Sequence, residues 1–245
     1  MDGTLEMKKV WLGRGLLFLF SFFFGQMVCF CKITATIRLV DVPSEDASGQ
    51  SSEATEPSCD LPKQIAITFD DGPNPNYTQK LLEGLKKRGV KATFFVLGEE
   101  VEQYPDILEE IYEDGHLIGV HSYEHVNFGQ IGDEAAIEQI EKTQEAIYEV
   151  TGEYAGYIRP PYGCWKKELD TKVPMIEVLW DVDPLDWATT DADTVVQRIL
   201  ENTEEGSIIL LHDASQSSVQ AALTVIDVLT KQGYEFVTVE ELLIE

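Results

Sequence analysis

Short apolar runs alternate with amphipathic helical patterns along most of this chain, and that alternation constrains its fold more than any other feature. "QIAITF" reads as a strand and "TQKLLEGLKKRG" as a helix closed by Gly89. "KATFFVL" is a strand, and in "EEVEQYPDILEEIYEDG" Val101, Ile107, Leu108, Ile111 and Tyr112 recur at helical spacing. "HLIGVH" then precedes "DEAAIEQIEKTQEAIYEV", which carries Ile137, Ile140, Ile147 and Val150 on one face. "GYIRP" and "MIEVLWDVD" are strands, "DADTVVQRILEN" a helix with Asp191 or Asp193 at its cap, and "SIILLHD" a strand. A helix through "VQAALTVIDVLTKQG" and the strand "YEFVTV" complete the series. About seven strands alternating with about six helices predict an α/β fold with a parallel sheet covered by helices. Because the strands are continuously apolar, a distorted (β/α) barrel is expected, with its active site at the C-terminal face of the strands.

Polar residues cluster where these strands end. Asp70 and Asp71 end the first strand, His121 the third and Arg159 the fourth; Asp183 and Asp186 follow the fifth, and His212 with Asp213 ends the sixth. In a parallel barrel all of them reach one rim. Adjacent strand residues point to opposite faces, so Asp70 and Asp71 cannot share one job. Two like charges so close also need something positive between them.

"HSYEH" places His121 and His125 four residues apart, a spacing that in a helical turn projects both imidazoles to one side. Such a pair alone is a weak signal, but there are only 4 histidines in the chain: His116, His121, His125 and His212. Two histidines and one aspartate form a ligand set that leaves coordination positions open for water and substrate. A divalent cation would neutralise one Asp and leave the other to face the attacking water.

"TFDDGP", "HSYEH", "RPPYG", "DPLDW" and "LLHD", in this order, resemble the five motifs of the polysaccharide deacetylase family, the NodB homology domain of carbohydrate esterase family four. The resemblance runs from Ile65 to about Leu243. It implies that Asp71, His121 and His125 bind the metal, Asp70 is the general base, and Arg159 pairs with that base. It further implies that Tyr162 offers its backbone N–H to the oxyanion, that His212 is the general acid held charged by Asp186, and that Trp187 and Leu210 wall the pocket for the acetyl methyl. Asp183 is expected behind the site, His116 as a structural residue, and Asp213 and Ser122 as local hydrogen-bond partners of His212 and the metal-binding loop. Val120 departs from the family pattern, where an Asn often precedes the first metal histidine.

Place and substrate are read from the N-terminal segment, the charge and the family. Lys8, Lys9 and Arg14 precede the apolar stretch Gly15 to Cys31, the grammar of a signal peptide or signal anchor, assigned to residues 1–36. Residues 37–60 are an acidic, Ser-rich flexible linker, and 61–245 form the catalytic domain. The formal net charge of −26 lies almost wholly in that domain and argues against nucleic acid and anionic membrane surfaces as partners. Membrane contact is therefore expected only through the N-terminal segment, and the domain is expected to be monomeric and extracytoplasmic, in the cell envelope. Cys59 and Cys164, the two cysteines beyond the apolar stretch, either pair or remain thiols. The family implies removal of N-acetyl groups from N-acetylglucosamine units of a polysaccharide, with one divalent ion: zinc first, then cobalt, nickel or iron. A tether facing the cell wall favours peptidoglycan. The alternatives are a deacetylase of chitooligosaccharide or acetylated xylan, a non-catalytic glycan-binding or sporulation protein on the same fold, and a hydrolase of small imides or ureides.

Overall fold

The computed structural model describes residues 62–244. The signal or anchor segment, the linker and Cys59 lie outside the described residues, and with them the question of a Cys59–Cys164 bridge. Among the described residues, no helix is long and apolar enough to cross a membrane.

Seven parallel strands are present: β1 (Lys63–Asp70), β2 (Thr93–Val96), β3 (Leu117–Val120), β4 (Tyr157–Ile158), β5 (Ile176–Glu177), β6 (Ile208–His212) and β7 (Tyr234–Val237). They run β5-β4-β3-β2-β1-β6, with β7 paired to the first half of β1. Helices α1 (Thr78–Arg88), α2 (Gly98–Gln103), α3 (Pro105–Glu113), α4 (Asp133–Thr151), α5 (Ala192–Asn202), α6 (Gln216–Lys231) and α7 (Val239–Ile244) alternate with them.

The two-residue period of the strands divides the core. On β1, Ile65, Ile67 and Phe69 join the large cluster under the helices, while Ala66 joins a second cluster with Phe95, Tyr157, Val178 and Val239. This second cluster fills the lower interior of the barrel. Gly119 leaves room for it, since a Cβ there would lie 2.5 Å from the Phe95 ring. The same alternation sends Thr68, Asp70 and Arg159 into the upper interior, where they are buried and bonded to one another. The inside of the barrel is thus apolar below and polar above.

Three local expectations change. The helical pattern from Glu99 to Gly115 is two helices, because Pro105 has no N–H and disfavours the α conformation at Tyr104, which sits at φ −131°. Pro105 instead opens α3. The fifth strand is interrupted. Ile176–Glu177 pairs with β4, but Val182 bridges to Ile209 of β6. The stretch between them closes the ring in place of a continuous ladder. Finally, the terminal strand ends at Val237, where Thr238 and Glu241 bond each other's backbone N–H and start α7.

Candidate active site

Asp71 Oδ1 lies 3.4 Å from both His121 Nε2 and His125 Nε2. His121 is buried, and its Nδ1 lies 2.7 Å from the Arg159 carbonyl oxygen, which accepts from an Nδ1–H tautomer. That tautomer turns the Nε2 lone pair toward the Asp71 carboxylate. Burial, the largest influence, holds His121 below the ordinary imidazole range and so neutral. A buried carboxylate oxygen without a hydrogen-bond partner thus faces imidazole nitrogens, and the three ligand atoms lie within 4.8 Å of one another. Unpaired acceptors converging in this way suit a cation, and the donor set of one carboxylate and two imidazoles suits a divalent transition metal.

The two imidazoles are not brought together by a helical turn, which is what their spacing alone suggests. His121 to His125 is a loop in which Ser122 and His125 adopt left-handed backbone at φ 68° and 55°. Two reversals within five residues fold the chain back on itself. The His125 ring then packs 5.2 Å from that of His121 and edge-on to Tyr162.

Asp70 and Asp71 do have separate environments. Asp71 stands at the rim with its left-handed backbone at φ 72°. Asp70 points into the barrel, where Oδ1 accepts a 2.8 Å bond from Arg159 and Oδ2 comes within 3.8 Å of His121 Nε2. Arg159 is fully buried and every arm of its guanidinium is used. It donates to Thr68 Oγ1 and Asp70 through Nη1, to the Val178 carbonyl through Nε and to the Leu179 carbonyl through Nη2. Its plane stacks 4.2 Å from the centroid of Phe95.

Across the cavity, buried Asp186 accepts from both His212 Nδ1 and the His212 backbone N–H, each at 2.9 Å. Burial, the largest single influence, would lower this imidazole, but the bond and charge of Asp186 together with the charges of Asp70 and Asp71 raise His212 to about 9. With Nδ1 engaged, Nε2 is the nitrogen left for the cavity. That cavity, of about 440 Å³, brings together Asp70, His121, Tyr162, Trp187, Leu210 and His212. Leu210 is buried on the inner face, whereas Trp187 and Tyr162 are largely exposed at the mouth. Tyr162 holds φ 59° within a turn closed by the Gly163 and Cys164 N–H groups.

Several supporting residues act differently from expectation. Asp183 lines the cavity itself and is exposed, with Oδ1 accepting the Leu185 N–H. Ser122 supports the histidine loop through its carbonyl, which accepts the Gly98 N–H, and its hydroxyl has no partner. Asp213 braces the turn after Asp71, not His212. Its carboxylate accepts the Thr78 hydroxyl and packs so closely on Gly72 that a Cβ there would meet it at 2.6 Å. Burial pushes Asp213 up to about 7. His116 is structural, with Nδ1 accepting the Ala92 N–H at 3.1 Å. Val120 is fully buried in the outer cluster. Two residues of the site are absent from the sequence reading. Thr68, at the inward position two before Asp70, bonds Arg159, and Trp180 lines the cavity from the irregular stretch after β5. The two-residue period of "AITFD" marks the first; nothing in the sequence separates the second from an ordinary core tryptophan.

The fold and this rim bring together an Asp-His-His set able to hold a cation, a buried Asp–Arg pair and an imidazole–carboxylate pair, all at the C-terminal end of a parallel barrel. Residues 58–175 match the family model described as Polysaccharide deacetylase. The chain is 42% identical over 180 residues to "Peptidoglycan-N-acetylmuramic acid deacetylase PdaC" of Bacillus subtilis, covering 74% of this chain and 38% of that protein. It is 38% identical over 186 residues to "Peptidoglycan-N-acetylglucosamine deacetylase PgdA" of Listeria monocytogenes, covering 76% and 40%. The solved structure of Bacillus subtilis PdaC superposes with a TM-score of 0.72 at 42% identity, covering 74% of this chain and 90% of that one. The chain belongs to the polysaccharide deacetylase family. It spans about two fifths of the length of the two curated relatives named here.

Proposed function

We propose that this chain is a metal-dependent hydrolase that removes N-acetyl groups from N-acetylglucosamine units of a polysaccharide, with peptidoglycan as its substrate and zinc as its ion. One observation carries the reading. A base-like carboxylate and a proton-bearing imidazole, each fixed by its own buried partner, share one cavity with a ligand set for a divalent ion. Asp71, His121 and His125 hold the ion, which when bound supplies a Lewis acid that makes water more acidic. Asp70 takes the proton of the water that attacks the acetyl carbonyl carbon, and Arg159 orients it. The Tyr162 N–H faces the developing oxyanion. As the C–N bond breaks, His212 gives its proton to the departing nitrogen, leaving acetate and a free amine on the sugar. Leu210 and Trp187 bound the space for the methyl group.

The names of the relatives support the cell-wall glycan, and they include both sugars of peptidoglycan, so N-acetylmuramic acid belongs in the test. Residues 1–36 then hold or export the domain on the wall side of the membrane. The test is acetate release from purified peptidoglycan, chitooligosaccharides and acetylated xylan, with and without chelator. Chelator-sensitive release from peptidoglycan is expected. Release that survives metal removal, or none from any glycan, would overturn the reading.

A further inference from the structure

The cavity over Asp71 is one part of a longer groove. It shares Asp71, Trp187 and His212 with a cavity of about 660 Å³. That cavity shares Thr190 and Ser215 with a third, of about 470 Å³. Among the described residues, no lysine or arginine lines any of the three. The buried Arg159 is committed to Asp70, and Lys80, near the far end, sits 5.4 Å over the Tyr77 ring.

Carboxylates do line the groove. Asp183 stands beside the ligand set, and Asp191 and Asp193 stand exposed at the far end. Asp191 caps α5, accepting the Asp193 N–H and the Thr194 hydroxyl. The walls between are hydroxyls and amides, including Thr189, Thr190, Ser215, Ser217 and Gln220, which can pair with sugar hydroxyls but not offset charge. An ion held by Asp71, His121 and His125 compensates the centre of the groove and leaves its far end anionic.

We infer that the groove sorts glycans by the charge on the sugars flanking the reacting unit. Neighbours that are neutral or carry a free amine are accepted, and neighbours that carry a free carboxylate are turned away. This rests on the deacetylase reading and adds a consequence to it. The amine left by one turnover makes the same strand a better occupant for the next, so amines accumulate on strands already begun. Exposed charge pairs of this kind are worth about 2–5-fold each at low salt, and screening removes them.

The test compares three oligosaccharides of equal length, each with one reactive N-acetyl unit flanked by a neutral, an amine-bearing or a carboxylate-bearing sugar. Binding to the zinc-loaded protein is measured by calorimetry, and kcat/KM by acetate release, at low salt and at about 0.5 M salt, where screening lengths fall below about 5 Å. At low salt the amine-bearing chain should bind and react best and the carboxylate-bearing chain worst, through KM more than kcat. High salt should compress the ranking, as should the double variant D191N/D193N at low salt. A carboxylate-bearing chain bound as well as the neutral one at low salt would overturn the inference, as would a ranking unmoved by salt or by the variant. If the ranking appears in binding while no chain releases acetate, the charge rule stands and the deacetylase reading falls.

Discussion

The two rims of the barrel handle left-handed backbone in opposite ways. At the N-terminal rim the turns entering β2, β3, β4, β6 and β7 each place a glycine at positive φ, where it carries no steric cost. At the C-terminal rim all five non-glycine residues with positive φ among those described are found: Asp71, Ser122, His125, Tyr162 and Leu185. Each such residue costs roughly 1–2 kcal/mol. Only Gly163 meets the same demand there with glycine. The lower rim is built for economy of folding. The upper rim accepts strain at Asp71, His125 and Tyr162, which face the cavity, and at Ser122 and Leu185 in the loops that turn around it.

Substitutions at the two rims should therefore differ in kind. The largest effect is expected at the top. His121→Ala should remove metal retention, read by elemental analysis, and lower activity by about 100-fold or more, beyond the roughly 10–100-fold that losing an outer partner of a metal ligand costs. The fold, read by circular dichroism, should persist. Retained metal together with retained activity would break the contrast at its root.

Next in size is a shift in pH dependence. His212 must carry its proton to act as the acid, so activity should fall as pH rises through its pKa of about 9. Asp186→Asn should move that alkaline limb down by about 1–3 pH units while leaving metal content unchanged. A limb that stays in place would transfer the role to another group, with Asp183 the first to test.

The lower rim offers a titration of stability instead. Burial, the chief cause, lowers His116 to about 4. Between the unfolded value near 6.5 and this folded value, the unfolded chain binds one more proton than the native one. The contribution is therefore complete above about pH 6.5 and is lost as pH falls toward 4, up to roughly 3 kcal/mol. His116→Gln should change the slope of stability against pH between about 4 and 6.5 by about one proton in urea titrations. It should leave in place the opposite contribution of Asp213, which burial raises to about 7, and leave the pH–rate profile of acetate release alone. A change in the alkaline limb of activity would show that the rims are not independent.

The smallest effect belongs to the glycines. At Gly152, φ is 75° and a Cβ added there would have no atom within 4 Å, so Gly152→Ala costs only the backbone penalty, about 1 kcal/mol. Activity should be unchanged. A loss of several kcal/mol would mean that the lower turns are packed as tightly as the upper ones.

The same contrast explains what could be read from the sequence. Strands such as β1 and β6 are legible because both faces are buried and the apolar run stops at a charged pair. Asp70 and His212, which face the cavity, are legible for the same reason, since each ends its strand. The path from His121 to His125 is not, because neither Ser122 nor His125 announces left-handed backbone as a glycine would. Pro105 does announce a break, but the helical periodicity on either side of it reads as continuous. The stretch from Val178 to Val182 looks like one apolar strand, since nothing in its composition tells that its two ends pair with different neighbours. Asp183 reads as a residue behind the site, whereas it lines the cavity, in a turn where its Oδ1 accepts the Leu185 N–H.

Arg159 ties the closing stretch of the ring to the carboxylate in its interior. Two of its bonds go to the carbonyls of Val178 and Leu179, in the irregular stretch that joins the last part of the ring, and another goes to Asp70. Until that seam is in place the guanidinium lacks half of its acceptors, and the carboxylate it should hold has no fixed direction. A chain that is nearly folded but open at the seam therefore carries its ligand residues without an aligned base. Alignment of Asp70 thus depends on closure of the ring at a stretch far from it in the sequence.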